Sequence, residues 1–222
     1  LTAPRQRSRP RSHILAEAGE LTRSGVRELV LVAQESTAYG RDLTPPDDLA
    51  ALLADLAAAL QDTWIRVLYG HPQSLTPALV DTVARHPNIC PYFDIPVQHA
   101  SDAVLKRMGR HYRRRDLLQL FDSIRRTLPG AALRTTVMTG FPGESESDFT
   151  GLLDFVEAVG FDHLGVFVYS DAEDLPSHRL ADHVPAALAQ ERCDMLMERQ
   201  AAISLHKNQA RLNQKIEILV ES

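Results

Sequence analysis

An α/β architecture built on a parallel sheet is predicted by three features of the sequence. Short apolar runs of strand length alternate with segments whose apolar residues recur at helical spacing, the pattern of right-handed βαβ units. Residues 28–33 read Glu-Leu-Val-Leu-Val-Ala, and so continuous an apolar run suits a strand covered on both faces. Each run ends in polar residues, and in parallel α/β folds the carboxyl ends of strands are where loops present side chains to a ligand.

Taken in order, residues 1–11 are basic and Pro-containing and are expected to be extended, with Pro10 at the first turn of a helix. Ile14, Leu15, Ala18 and Leu21 then keep helical spacing up to Gly25, a residue suited to the position just past a helix. The first strand is 28–33. Gly40 and the Pro45-Pro46 pair mark a loop, after which Leu49, Leu52, Leu53, Leu56 and Leu60 share one helical face. Residues 64–69 form a second strand, and Thr76 and Pro77 stand as N-cap and first residue of a helix carrying Leu79, Val80 and Val83.

A third strand at 89–97 leads to Ser101, the N-cap of a short helix over 102–108, and a longer helix runs from about Arg113 to Leu128. Residues 133–138 are the fourth strand, closed by the turn Gly140-Phe141-Pro142-Gly143. Ser145 and Asp148 have capping-box spacing for a helix through Val159. Residues 163–169 are the fifth strand, Pro185 opens a last long helix to about Leu212, and 215–220 are expected as a terminal strand. Five strands that alternate with helices cannot close an eight-stranded barrel, so an open, curved barrel segment is expected.

One domain is the default for 222 residues at 44% hydrophobic content. A net charge of −5 argues against general nucleic-acid or membrane binding, which needs a positive surface. No apolar run reaches the roughly 20 residues needed to span a bilayer, and a cytoplasmic protein is expected. Cys90 and Cys193 stand far apart with no partner at metal-ligand spacing, so they are read as buried thiols and no metal site is expected within this chain.

The strand ends supply the candidate site. Gln34, Glu35 and Ser36 follow the first strand, His71 and Gln73 the second, Gln98 and His99 the third, Gly140–Glu144 the fourth, and Tyr169, Ser170 and Asp171 the fifth. The glycines of the Gly-Phe-Pro-Gly turn have two readings: they serve the turn itself, or they let backbone approach a nucleotide. Arg113, Arg114 and Arg115 oppose the helix dipole at a helix start and leave room for docking of an acidic partner.

Three blocks resemble the radical S-adenosylmethionine methylthiotransferase family: Tyr-Phe-Asp-Ile-Pro-Val-Gln-His-Ala at 92–100, Glu-Leu-Val-Leu-Val-Ala-Gln-Glu-Ser-Thr-Ala-Tyr-Gly at 28–40, and Leu-Arg-Thr-Thr-Val-Met-Thr-Gly-Phe-Pro-Gly-Glu from Leu133, with Phe-Val-Tyr-Ser at 167–170 behind it. Asp94, Gln98, His99 and Ala100 are more like the branch that modifies an aspartate of a small-subunit ribosomal protein. The resemblance implies a partial, open (β/α)6 TIM-like barrel of the radical SAM type whose first strand is missing from this chain. It also implies that residues 1–212 are the radical SAM core and 213–222 the start of a C-terminal β-barrel domain.

The same resemblance implies S-adenosyl-L-methionine and two [4Fe-4S] clusters as cofactors, a small-subunit ribosomal protein as substrate and an electron-donor protein as partner. It assigns cofactor binding to Gln34, Glu35, Gln98, Arg134, Gly140 and Gly143, and substrate contact to His99, with Glu35 facing the cofactor's ammonium group. No catalytic side chain is implied, because a cofactor-borne radical is what breaks an unactivated C–H bond. Two departures stand out. The family's Cys-x-x-x-Cys-x-x-Cys loop does not occur in these residues, which is expected from a truncated start, and Glu173, Asp174, Leu175 and Pro176 replace the family's Glu-Gly-Thr-Pro run. A tRNA adenosine methylthiotransferase and a cluster-free α/β scaffold that binds a nucleotide or a protein are the alternative readings.

Overall fold

The computed structural model describes residues 6–220, so the expectation for residues 1–5 lies outside the described residues. These residues fall into two compact units, one built on the chain up to Asp94 and the other on 95–126 and 132–216.

In the first unit, α1 (Arg11–Arg23) leads through Gly25, at φ 101°, into β1 (Glu28–Leu31). Next come α2 (Leu49–Ala59), β2 (Trp64–Val67), α3 (Pro77–Arg85) and β3 (Tyr92–Asp94). β1 and β2 pair in parallel with Val30 opposite Arg66. The leucine face of α2 is sealed in the core, with Leu53 and Leu56 at 0% exposure. Arg11 reaches from α1 to Asp47 and, at 2.7 Å, to Asp55 of α2. Thr76 caps α3 through the Leu79 N–H, with Pro77 at its first position, as the sequence predicts.

The second unit holds α4 (Asp102–Arg107), α5 (Arg114–Thr127), β4 (Ala132–Thr139), α6 (Glu146–Val159), β5 (His163–Val168) and α7 (Ala186–Ala210). β4 and β5 are parallel, with Arg134 opposite His163 and Thr139 opposite Val168. On the other edge of β4 the extended chain at 95–98 adds backbone bonds, from Ile95 N–H to Arg134 O (2.9 Å) and from Gln98 N–H to Thr136 O (2.9 Å). Phe121, Phe155 and Phe161 meet at the centre of this core, with Phe121 and Phe161 edge to face at 5.0 Å. Ser145 and Asp148 form the predicted capping box.

Four expectations need correction. The third strand is shorter than 89–97, because Pro91 and Pro96 offer no N–H to a ladder and confine regular pairing to the residues between them. Residues 215–220 form no strand: Ile216, Ile218 and Val220 are exposed, and a strand exists only where a neighbour takes its backbone bonds. The two thiols are half-buried, not core residues, although burial does push both Cys90 and Cys193 up from the ordinary thiol pKa.

The strands are also not covered on both faces. Along β4, Leu133, Thr135, Val137 and Thr139 are buried while Ala132, Arg134, Thr136 and Met138 alternate with them and stay partly open. Phe167 on β5 is 61% exposed, and Val30 and Val32 in the first unit are exposed as well. A parallel sheet ordinarily hides both faces; here each unit leaves one available.

Candidate functional site

The first unit gathers its polar residues where β1 and β2 end. Glu35 is half-buried and its Oε1 accepts from Ser74 Oγ at 2.5 Å, which fixes the carboxylate just past β1. Ser36 opens a single 3-10 turn and bonds back to the end of β2, through its N–H to Tyr69 O (2.9 Å) and its Oγ to Leu68 O (2.6 Å). Tyr69 is a non-glycine residue at φ 59°, and Asp94 holds it there: the Asp94 carboxylate takes the Tyr69 N–H (3.2 Å) and its carbonyl takes the Gly70 N–H (2.8 Å). His71 donates its backbone N–H to Thr37 Oγ1 at 2.9 Å. Gln34 is exposed, and with Glu35 it lines a cleft of about 720 Å³ that runs along β1 between α1 and the start of α2. That volume lies within the range of small-ligand sites.

The second unit has its own tight constellation. Gln98 stands at φ 68° at the end of the 95–98 extension, with its carbonyl accepting from the Met138 N–H at 2.7 Å. A non-glycine residue in this region costs on the order of 1 kcal/mol and persists only where its surroundings impose it. The turn at Gln98 sends the next side chain inward, and His99 is 0% exposed. Its Nδ1 accepts the Ser101 N–H at 2.9 Å, and its Nε2, with no hydrogen-bond partner, lies 3.5 Å from Glu144 Oε2. Hence His99, expected as a substrate contact, does not reach solvent.

Glu144 closes the Gly-Phe-Pro-Gly turn. Its Oε2 accepts the Gly140 N–H at 2.9 Å, and its Oε1 accepts from Arg192 Nη1 at 2.7 Å. Arg192 comes from α7, lies over the Phe149 ring and extends its other nitrogen to Glu146 at 3.0 Å. Nearby, Ser101 Oγ donates to Asp148; burial opposes ionisation of Asp148, but the hydrogen bonds from Ser101 and Ser145 outweigh it and hold that carboxyl below its ordinary pKa.

Both glycines of the turn have a packing reason. A Cβ at Gly140, φ 77°, would collide with Ala189 of α7, and one at Gly143, φ 82°, would meet the Arg107 guanidinium. Arg134 lies near the amino end of β4, roughly 20 Å along the strand from Gly140, so the strand does not bring these two together. Arg114 turns away from solvent to lie over Phe155 and bond Gly151 O, which leaves Arg113 and Arg115 as the exposed members of the arginine run.

Glu144 and Arg192 are the residues that sequence reading missed as a pair. They lie 48 positions apart, and Arg192 looks like one more charge on a long helix. The available signal was the stripe Ala189, Arg192, Leu196 and Gln200, which puts two polar residues on the buried side of α7.

With the geometry in place, comparison with known proteins gives a consistent picture. Ribosomal protein uS12 methylthiotransferase RimO of Desulfosudis oleivorans is 54% identical over 217 residues, 98% of this chain and 49% of that protein. The protein of the same name from Clostridioides difficile is 45% identical over 97% of this chain and 48% of its own length. The chain therefore spans about half the length of the relatives it matches. Among solved structures, coproporphyrinogen III oxidase (HemN) of Escherichia coli, described as a radical SAM enzyme, has a TM-score of 0.54 at 18% identity, covering 91% of this chain and 45% of its own. The radical enzyme OxsB has a TM-score of 0.53 at 15% identity, covering 91% of this chain and 28% of its own; both likenesses concern the fold. The Radical SAM superfamily model matches residues 2–156, and on that match the chain belongs to the radical SAM superfamily.

Proposed function

We propose that this chain is the core of a radical SAM methylthiotransferase that places a methylthio group on the β-carbon of an aspartate in ribosomal protein uS12. The observation that carries the substrate is the 54% identity with a protein of that name, held over 98% of the chain. The geometry supports a cofactor site at the strand ends. Glu35, fixed by Ser74 beside a cleft of suitable size, is a carboxylate held ready for an ammonium group, and an ionic hydrogen bond of this kind is among the stronger ones. Gln34 lines the same cleft, while Gln98 offers a half-exposed amide at the end of its own strand.

S-adenosylmethionine, with an electron delivered through an iron–sulfur cluster, supplies the radical chemistry that no side chain can provide. The residues present do not fit the cluster itself. Cys90 and Cys193 are the two cysteines of the chain, and no group of three metal-ligating side chains gathers among the described residues. What these residues do is bind and orient. In the first unit, Glu35 and Gln34 are the groups suited to the polar end of the ligand; in the second, taken by itself, Gln98 is the candidate contact at its own strand end, beside the open face of β4 and β5 that carries Met138 and Phe167.

Two clusters in the whole protein, an electron-donor protein as partner, a cytoplasmic location and a β-barrel domain entered at residues 213–222 complete the proposal. No described helix is long and apolar enough to cross a membrane.

The test uses the full-length protein with its clusters reconstituted, supplied with S-adenosylmethionine, a reductant and either uS12 or tRNA. Mass spectrometry of a uS12 peptide should show one methylthio group in place of one hydrogen on an aspartate. Modification of tRNA adenosine without change in uS12 would overturn the substrate; failure to cleave S-adenosylmethionine at all would overturn the reaction.

A further inference from the structure

His99 is sealed from solvent, yet it follows directly after the most strained residue of the second unit's strand ends. Gln98 keeps φ 68° while its N–H and its carbonyl are both bound to β4, so the peptide on either side of it has little freedom. What remains to be fixed is the direction in which the chain leaves. His99 fixes it twice, by accepting the Ser101 N–H at Nδ1 and by directing Nε2 toward Glu144. Because Nδ1 accepts, the neutral ring carries its proton on Nε2, and that N–H faces a carboxylate oxygen 3.5 Å away. Glu144 is in turn held by Arg192 from α7 and by the Gly140 N–H.

Resting on the proposal that Gln98 contacts the cofactor, we infer that the buried series Arg192, Glu144, His99 is a positioning device whose output is Gln98. It holds Gln98 in the left-handed conformation and so presents the Gln98 amide to the ligand, without itself touching ligand or substrate. Three features on the page point this way together: an interior ion pair, an unpartnered imidazole nitrogen aimed at it, and a strained, half-exposed polar residue next in the chain. Strain of this kind is kept where the surrounding structure over-determines it, as at ligand clamps.

A double-mutant cycle separates this from a merely structural role. Gln98→Gly removes the amide and relieves the strain, since glycine accepts positive φ freely. His99→Asn keeps an acceptor for the Ser101 N–H, but its amide is shorter than the imidazole and does not extend to Glu144 as Nε2 does. In the full-length, cluster-loaded protein, each single variant should weaken binding of S-adenosylmethionine, measured by calorimetry, by about tenfold, and the double variant should be no weaker than Gln98→Gly alone. Losses that multiply would overturn the inference, because His99 would then act on the ligand by some route other than Gln98.

The second arm needs no cofactor. In the cluster-free full-length protein, Gln98→Gly should raise the melting temperature by about 2 °C in the parent and by clearly less in the His99→Asn background, where the strain has already relaxed. An equal gain in both backgrounds would show that His99 does not impose the strain, and would also overturn the inference. If the parent protein binds no S-adenosylmethionine while this melting cycle behaves as expected, the cofactor reading is the part that fails and the conformational coupling stands.

Discussion

Arg192 Nη1 lies 2.7 Å from Glu144 Oε1, with side-chain exposures of 4% and 0%, so a helix late in the chain and the turn after β4 share a desolvated ion pair. Removing one member of such a pair strands the other charge in the interior, which costs more than the intact pair contributes. Arg192→Met should therefore destabilise the protein by about 3 kcal/mol. Adding Glu144→Leu should recover part of that loss. Urea unfolding of the parent and the two variants checks both statements, and a single variant as stable as the parent would contradict the first.

Gly140 and Gly143 should differ in tolerance. Both sit at positive φ, but a Cβ at Gly140 meets the short, fixed Ala189 of α7, whereas one at Gly143 meets the far end of the Arg107 side chain, which can swing aside. Gly140→Ala is expected to cost about 3 kcal/mol and Gly143→Ala about 1 kcal/mol. Thermal melts of the two variants decide the order. If Gly143→Ala, mild in stability, is also severe in S-adenosylmethionine affinity, the backbone there approaches the ligand.

Acid should loosen the second unit through Asp162. Burial opposes ionisation of this carboxyl most strongly, yet the Lys207 hydrogen bond, the Leu133 N–H and Arg125 outweigh it and hold the group below its ordinary pKa. Lys207 is itself pushed down, by burial first and then by Arg125 and Arg211, because three cations compete for one carboxylate. A depressed acid contributes stability that is present above its unfolded pKa of about 4 and is lost as pH falls through the folded value. Asp162→Asn should lower stability at pH 7 by about 2 kcal/mol and flatten the loss of stability below about pH 4. Stability curves against pH for parent and variant that run parallel would exclude Asp162 as a source of acid sensitivity.

Glu35→Gln should weaken S-adenosylmethionine binding to the cluster-loaded full-length protein by about 1–3 kcal/mol, the range for loss of an ionic hydrogen bond. Ser74→Ala should give a smaller loss, because it frees the carboxylate to rotate without removing its charge. Calorimetric titration is the measurement, and unchanged affinity in Glu35→Gln removes this carboxylate from the site.

Much of the fold was legible because its punctuation is local. Thr76 with Pro77, Ser101, and Ser145 with Asp148 each announce a helix start within four residues, and all three caps are made. The alternation along β4 was hidden in the sequence by Thr135 and Thr139, which are buried although polar. Thr135 bonds Ile95 O at 2.8 Å and Thr139 bonds Ala189 O at 3.0 Å, so each satisfies its hydroxyl inside the core. His99 was read from its place after a strand, but the direction of its side chain follows from a left-handed Gln98, which no propensity rule flags. The Glu144–Arg192 pair depends on two elements meeting across 48 positions, a fact no short window contains.

The buried stripe of α7 imposes a rule on how this stretch of chain can change over time. From Ala189 behind Gly140, through Arg192 and Leu196, to Gln200 on Phe161 O and Lys207 on Asp162, its contacts follow one line roughly 27 Å long. Exchanges on the solvent side, where Arg199 and Glu198 lie, leave that line intact. Insertion or deletion of a single residue between Ala189 and Lys207 turns everything beyond it by about 100° and unseats every later contact at once. Substitution is thus cheap over most of the helix surface while a change of length is prohibitive, so descendants of this sequence should vary in the composition of α7 long before they vary in its residue count.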